Sequence, residues 1–251
     1  MWNKKVGASA IKSMALLVVL GSTYPAAAQD AATPYPHMAP IDQYLMTDQD
    51  SEIILARSAA PKSISGDAEI LVLTKQGYMT AVQGKNGFVC MVARGWVGGF
   101  DWPEFWNPRV RGAECLNPPA ARTILPLTKM RTTMVLAGRS QTEIIASLKE
   151  ALKNGKVPKL EPGAMSYMMS KASYLTDEGD HNGSHLMSYL PISDPAIWGA
   201  DLPGSPVGSG PYWFTSEKMS QAFKGFPPIH IFVVYVPSWS DGTEAPRVHL
   251  H

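Results

Sequence analysis

The chain has 251 residues, 45% of them hydrophobic and 17% charged, with 22 basic against 21 acidic side chains and a formal net charge of +1. That balance excludes a disordered chain and leaves no charge excess for binding phosphate backbones, so nucleic acid is not an expected partner. The length allows one or two domains.

Lys4, Lys5 and Lys12 precede an unbroken apolar run at residues 14–20, and Ala26, Ala27 and Ala28 follow ahead of Gln29. This is the pattern of a secretory signal peptide over residues 1–28, cleaved after Ala28. A membrane anchor would need ~20 apolar residues. Cleavage removes three lysines and no acids, moving the net charge from +1 to −2, which leaves no polybasic tether. The expected location is periplasmic or secreted, with no stable membrane insertion.

Residues 29–40, rich in proline and small side chains, read as a flexible N-terminal arm. A helix is expected over 50–59, capped by Asp48 or Asp50 and stopped by Pro61. Three apolar runs at 69–74, 78–82 and 88–92, separated by short glycine-bearing gaps, predict a three-stranded antiparallel meander. Residues 94–119, dense in glycine and proline, break every period and read as a long excursion. Cys90, in the third strand, and Cys115, in the excursion, are the only cysteines. In an oxidising compartment they are expected to form a disulfide, the alternative being two separately buried thiols. Without a Cys-x-x-Cys pair, a zinc or redox role has little support.

A helix over 120–136 is expected to kink at Pro126. The clearest element follows: Ser140 and Glu143 make a capping box, Ile144, Ile145, Leu148 and Leu152 line one face, and Asn154-Gly155 ends the helix. Strand-like runs return at 164–169, 185–190 and 229–236, while 199–212 reads as a loop. Together these elements predict an α+β fold, a mostly antiparallel sheet with two or three helices packed on one face, in a single domain over 41–245 with a tail at 246–251.

Four runs, Glu52-Ile-Ile-Leu-Ala-Arg-Ser-Ala-Ala-Pro, Asn86-Gly-Phe-Val-Cys, Phe105-Trp-Asn-Pro and Leu160-Glu-Pro-Gly-Ala-Met-Ser-Tyr-Met-Met-Ser, resemble those of a family of uncharacterised exported bacterial proteins. The likeness covers most of the mature chain and implies export and a shared fold, with no activity to transfer. The family's pattern is richer in histidine around 181–187, where this chain has Asn182, Gly183 and Ser184.

No complete catalytic signature is present. Gly-x-Ser-x-Gly, the phosphate-binding loop, the dinucleotide fingerprint and His-Glu-x-x-His are all missing, which sets aside elbow-type serine hydrolases, nucleotide binding and zincin chemistry. The densest set of potential ligands is residues 177–185, with Asp177, Glu178, Asp180, His181 and His185. As a metal site it would take a divalent cation through these five residues. As an acid-base site it would use Asp180, His181 and His185. The match to a calcium loop is partial, because Tyr189 stands where a bidentate acid belongs. A solvated hairpin tip accounts for the same residues. Trp96, Phe100, Trp102, Phe105 and Trp106 crowd the excursion. Trp96, Trp102 and Trp106 with Arg109 would form a stacking platform for a ligand if exposed, and a satellite core if folded back. Met165, Met168, Met169 and Met187 suit core packing better than copper. These readings point to an exported domain that binds a small-molecule or protein ligand. A metal-assisted hydrolase at 177–185 is the alternative, and a purely structural envelope domain a third.

Overall fold

The computed structural model describes residues 34–177 and 183–246, which belong to one compact unit, Thr33–His251. The leader at 1–28, the cluster members Glu178, Asp180 and His181, and the C-terminal His249 and His251 lie outside the described residues.

Eight strands form one sheet: β1 (Glu69–Thr74), β2 (Gly77–Val82), β3 (Val89–Ala93), β4 (Gly112–Leu116), β5 (Met165–Met168), β6 (His185–Leu190), β7 (Val207–Pro211) and β8 (His230–Tyr235). Their order is β2-β1-β3-β4-β5-β6-β8-β7, and every neighbouring pair is antiparallel except β1 and β3. The helices are α1 (Gln49–Arg57), α2 (Lys62–Ser65), α3 (Pro118–Thr123), α4 (Leu125–Leu136), α5 (Gln141–Lys153) and α6 (Glu217–Ala222). The α+β class and the mostly antiparallel sheet are as the sequence predicts.

Period-two alternation sorts the central strands onto two faces. Ile70, Cys90, Val92, Ala113 and Cys115 face one cluster, closed by Ala56 and Ala59 at the end of α1. Leu71, Leu73, Val89, Met91 and Leu116 face the larger cluster, which Leu125 and Val135 of α4 and Ile144 and Leu148 of α5 complete. Helices α3, α4 and α5 thus cover one face, while α1 covers the other. Asp48 caps α1, accepting from the Ser51 amide at 2.7 Å. On α5 both halves of the capping box form, and Gly155 follows in the left-handed region (φ +64°).

Cys90 and Cys115 are directly opposed in β3 and β4 and form the disulfide, with Cα atoms 3.9 Å apart. The bond lies inside the α1-side cluster, both residues being fully buried. Closing this 25-residue separation contributes ~3 kcal/mol in the chain-entropy treatment.

Four expectations are corrected. The first three strands are not a meander, because β3 pairs in parallel with β1 rather than with β2. After β2 the chain passes beneath the start of β1: the Lys85 amide donates to the Asp67 carbonyl (2.7 Å) and the Glu69 amide to the Phe88 carbonyl (2.9 Å). A Cβ at Gly84 would fall 2.2 Å from the Glu69 nitrogen, so only glycine permits this passage. The excursion ends at 111 and is followed by β4, a fully buried strand. The helix over 120–136 is two helices meeting at Ile124, with Pro126 in the first turn of α4, where its missing amide costs nothing. The loop over 199–212 contains edge strand β7. The described part of the arm also lies against the domain. Tyr35, Met38 and Ala39 pack on the core, and the Tyr35 hydroxyl donates to Asp177.

Candidate functional site

The fourth strand brings an acid into the interior. Ala113 and Cys115 point toward α1, so alternation sends Glu114 to the opposite face with Leu116. Glu114 is 4% exposed there. Its Oε1 accepts from the Tyr189 hydroxyl on β6 at 2.8 Å, and that hydroxyl lies 3.1 Å from Ser166 Oγ on β5. Three neighbouring strands of the sheet order, β4, β5 and β6, thus carry one buried polar chain.

This chain borders a cavity of about 170 Å³ between the sheet and the excursion. Its lining is mostly apolar, with Ala93, Val97, Val110, Ile124, Met168 and Ile231 among the residues, and Trp102, Leu175 and Met187 half-buried around it. Tyr212 also lines it, and its buried hydroxyl has no hydrogen-bond partner among the described residues.

The wall formed by Val97 and Gly98 is fixed from α4. Arg131, 1% exposed, donates through Nη1 to the carbonyls of Val97 (3.0 Å) and Gly98 (2.7 Å). Its guanidinium lies over Phe100 at 4.3 Å and Tyr212 at 5.3 Å. Burial lowers the Arg131 pKa. Trp96 pins the same turn, donating from Nε1 to Thr132 Oγ1 at 3.0 Å.

Burial holds the Glu114 carboxyl above the ordinary carboxylate range, opposed by its hydrogen bonds to Tyr189 and Ser166. The same burial raises Tyr189 well above a free phenol and raises Tyr212, which Arg131 partly offsets. Because the folded carboxyl binds its proton more tightly than the unfolded one, its contribution to stability is intact below the unfolded carboxylate pKa and is lost as pH rises toward the folded value. Glu114→Gln, which keeps an acceptor for Tyr189, is therefore expected to flatten the fall in stability above ~pH 4.5. Urea denaturation across pH checks this, and identical slopes for the two proteins would contradict it.

The residues singled out in the sequence are placed differently. Trp96 is fully buried and Trp106 is 8% exposed, packed edge-on against Phe105. They belong to the core rather than to an exposed platform, whereas Trp102 reaches the cavity. Arg109 is exposed and pairs with Asp177. The Asp177 carboxylate also accepts from Tyr35, Tyr174 and Asn107, and hydrogen bonds from Tyr174 and Tyr35 hold its pKa well below the usual range. It acts as a latch for the arm. His185 is 7% exposed, with Nδ1 2.7 Å from the Gly183 carbonyl and its ring edge-on to Tyr235. Burial lowers its pKa. Among the described residues no group of three or more His, Cys, Asp or Glu could hold a metal ion. Met168 and Met187 are cavity residues and Met169 is buried.

A larger hollow of about 300 Å³ lies between α6 and the start of β8, with Trp213, Phe223 and Phe226 in its wall. Its Ser193, Ser220 and Lys224 are exposed, and His230 Nδ1 is engaged at 2.7 Å with the Ile192 carbonyl. Among the described residues, no buried ionisable group without a counter-charge borders it, and in that it differs from the Glu114 cavity.

Sequence reasoning missed Glu114, Tyr189 as its partner, Tyr212 and Arg131. The available signal was an acid at one position of an otherwise apolar strand, Ala113-Glu114-Cys115-Leu116. Searches against protein-family models, curated proteins and solved structures find no match to this chain.

Proposed function

We propose that the protein is an exported binding domain that takes a small, largely apolar molecule into the Glu114 cavity. The observation that carries this reading is a preformed apolar cavity with a few buried polar groups, Glu114, Tyr189 and Tyr212, in its wall. Sites for small ligands are built this way: apolar surface supplies the driving force, and sparse polar groups set orientation. Cavities of ~150 Å³ accept a single aromatic ring, so the expected ligand is of that size. Export is supported by the leader pattern at residues 1–28 and by the Cys90–Cys115 disulfide. Among the described residues, no helix is long and apolar enough to cross a membrane.

Toluene and phenol serve as neutral probes. Ligand that binds only the folded state raises stability by RT ln(1 + [L]/Kd), ~2.7 kcal/mol at a hundredfold excess over Kd. The expected result is a saturable increase in denaturation midpoint with either probe, abolished by Met187→Trp, which fills the cavity from its half-buried edge. No stabilisation, or equal stabilisation of this variant, would refute the reading.

A further inference from the structure

The polar groups around the cavity are unevenly matched in charge. Arg94, which also borders it, is committed to Glu52 at 3.0 Å and to the Tyr44 carbonyl at 2.8 Å. Arg131 spends its Nη1 on the carbonyls of residues 96–98, while its Nε and Nη2 have no hydrogen-bond partner among the described residues. Its guanidinium lies over the Tyr212 ring at 5.3 Å rather than beside Glu114. Glu114 makes no ion pair among the described residues, and the hydroxyl that donates to it, Tyr189, is itself backed by Ser166 Oγ at 3.1 Å. A carboxyl in that position must either keep its proton or receive a cation from outside, since an ionised acid buried alone is strongly disfavoured. Tyr212 adds a buried phenol oxygen with no hydrogen-bond partner among the described residues. Its ring lies 6.1 Å from that of Tyr189 in an edge-on arrangement, and Trp102 contributes a further aromatic face. An ammonium group suits this combination: it donates to a carboxylate and to a phenol oxygen, and aromatic faces attract it.

Building on the cavity-binding reading, we infer that the ligand class is a compact apolar amine, bound as its ammonium ion to Glu114 with Tyr212 as second acceptor. A proton held by the buried carboxyl in the free protein leaves to solvent on binding, and the ammonium takes its place as the partner of the carboxylate. Met168, Met187 and Ile231 then cover the apolar body of the ligand.

The test uses three probes of one shape, benzylamine, benzyl alcohol and benzoate, titrated calorimetrically at pH 7 into the wild type, Glu114→Gln and Tyr212→Phe. Benzylamine is expected to bind the wild type at least about tenfold more tightly than benzyl alcohol, a margin of ~1.4 kcal/mol, and benzoate is expected to bind most weakly. Glu114→Gln should erase the preference for the amine over the alcohol, read as the ratio of the two affinities within that variant, and Tyr212→Phe should reduce the preference in part. Alcohol or benzoate binding as tightly as the amine to the wild type, or an undiminished amine preference in Glu114→Gln, would overturn the amine assignment and leave cavity binding standing. If none of the three probes binds and toluene also fails, the cavity reading itself falls.

Discussion

Replacing Glu52 with leucine is expected to cost about 3–5 kcal/mol of stability, and adding Arg94→Met to that variant should recover a substantial part of the loss. Glu52 and Arg94 are joined at 3.0 Å with side chains 3% and 0% exposed. Glu52 also accepts from the Leu73 amide at 3.0 Å, and Arg94 donates to the carbonyls of Tyr44 and Val92. The pair therefore ties α1, β1 and the end of β3 together beneath the start of the excursion. Removing the acid alone strands a guanidinium in the interior, whereas removing both groups leaves the Leu73 amide and the Tyr44 and Val92 carbonyls to be satisfied but no charge of the pair. Nearby Arg111, lowered to about 10 first by burial and then by the Arg94 charge, would feel the stranded cation as well. Urea denaturation of the two single variants and the double variant gives the coupling. A Glu52→Leu loss below ~1 kcal/mol, the range of exposed pairs, would show that this pair is not the internal tie the geometry implies.

A second large effect separates two tryptophans only six positions apart. Trp96→Ala should lose ~3–5 kcal/mol, as large aromatic truncations in cores do. The ring is fully buried, lies 4.9 Å from that of Tyr44 and donates to Thr132. Trp102→Ala should lose less than ~1.5 kcal/mol, because its ring is half-buried beside the cavity, and its effect should appear in the affinity for toluene. If Trp96→Ala were the mild variant and Trp102→Ala the damaging one, the excursion would be anchored differently from the arrangement described.

These positions show which information is local in this chain. Helix α5 is legible because its cap, apolar face and terminating Asn154-Gly155 are all set by residues within a few positions of one another. Strands β1 to β3 are legible as strands for the same reason, but their pairing is not. Whether β3 lies beside β2 or beyond β1 depends on the 83–88 connection slipping under Glu69, a contact between residues distant along the chain that only Gly84 hints at. Strand β4 escapes notice because buried Glu114 interrupts the apolar run. Strand β7 escapes because Val-Gly-Ser-Gly-Pro carries turn residues that an edge strand tolerates at its end. The site is obscured by the same logic. Glu114 acquires its unusual environment from Tyr189 and Ser166, both far along the chain, whereas 177–185 stands out because its polar residues are adjacent. In the fold Asp177 is occupied by Tyr35, Tyr174, Asn107 and Arg109, and His185 is turned into the sheet beside Tyr235.

That the cavity beside Glu114 is a binding site is tested most directly by carbon-13 methyl spectra of methionine-labelled protein titrated with toluene. Met168 and Met187 line the cavity, on β5 and β6, whereas Met79 is 53% exposed on edge strand β2. The account predicts saturable shifts of the Met168 and Met187 methyls with a single dissociation constant, and no movement of Met79. Unmoved cavity methyls, or a Met79 response equal to theirs, would contradict it.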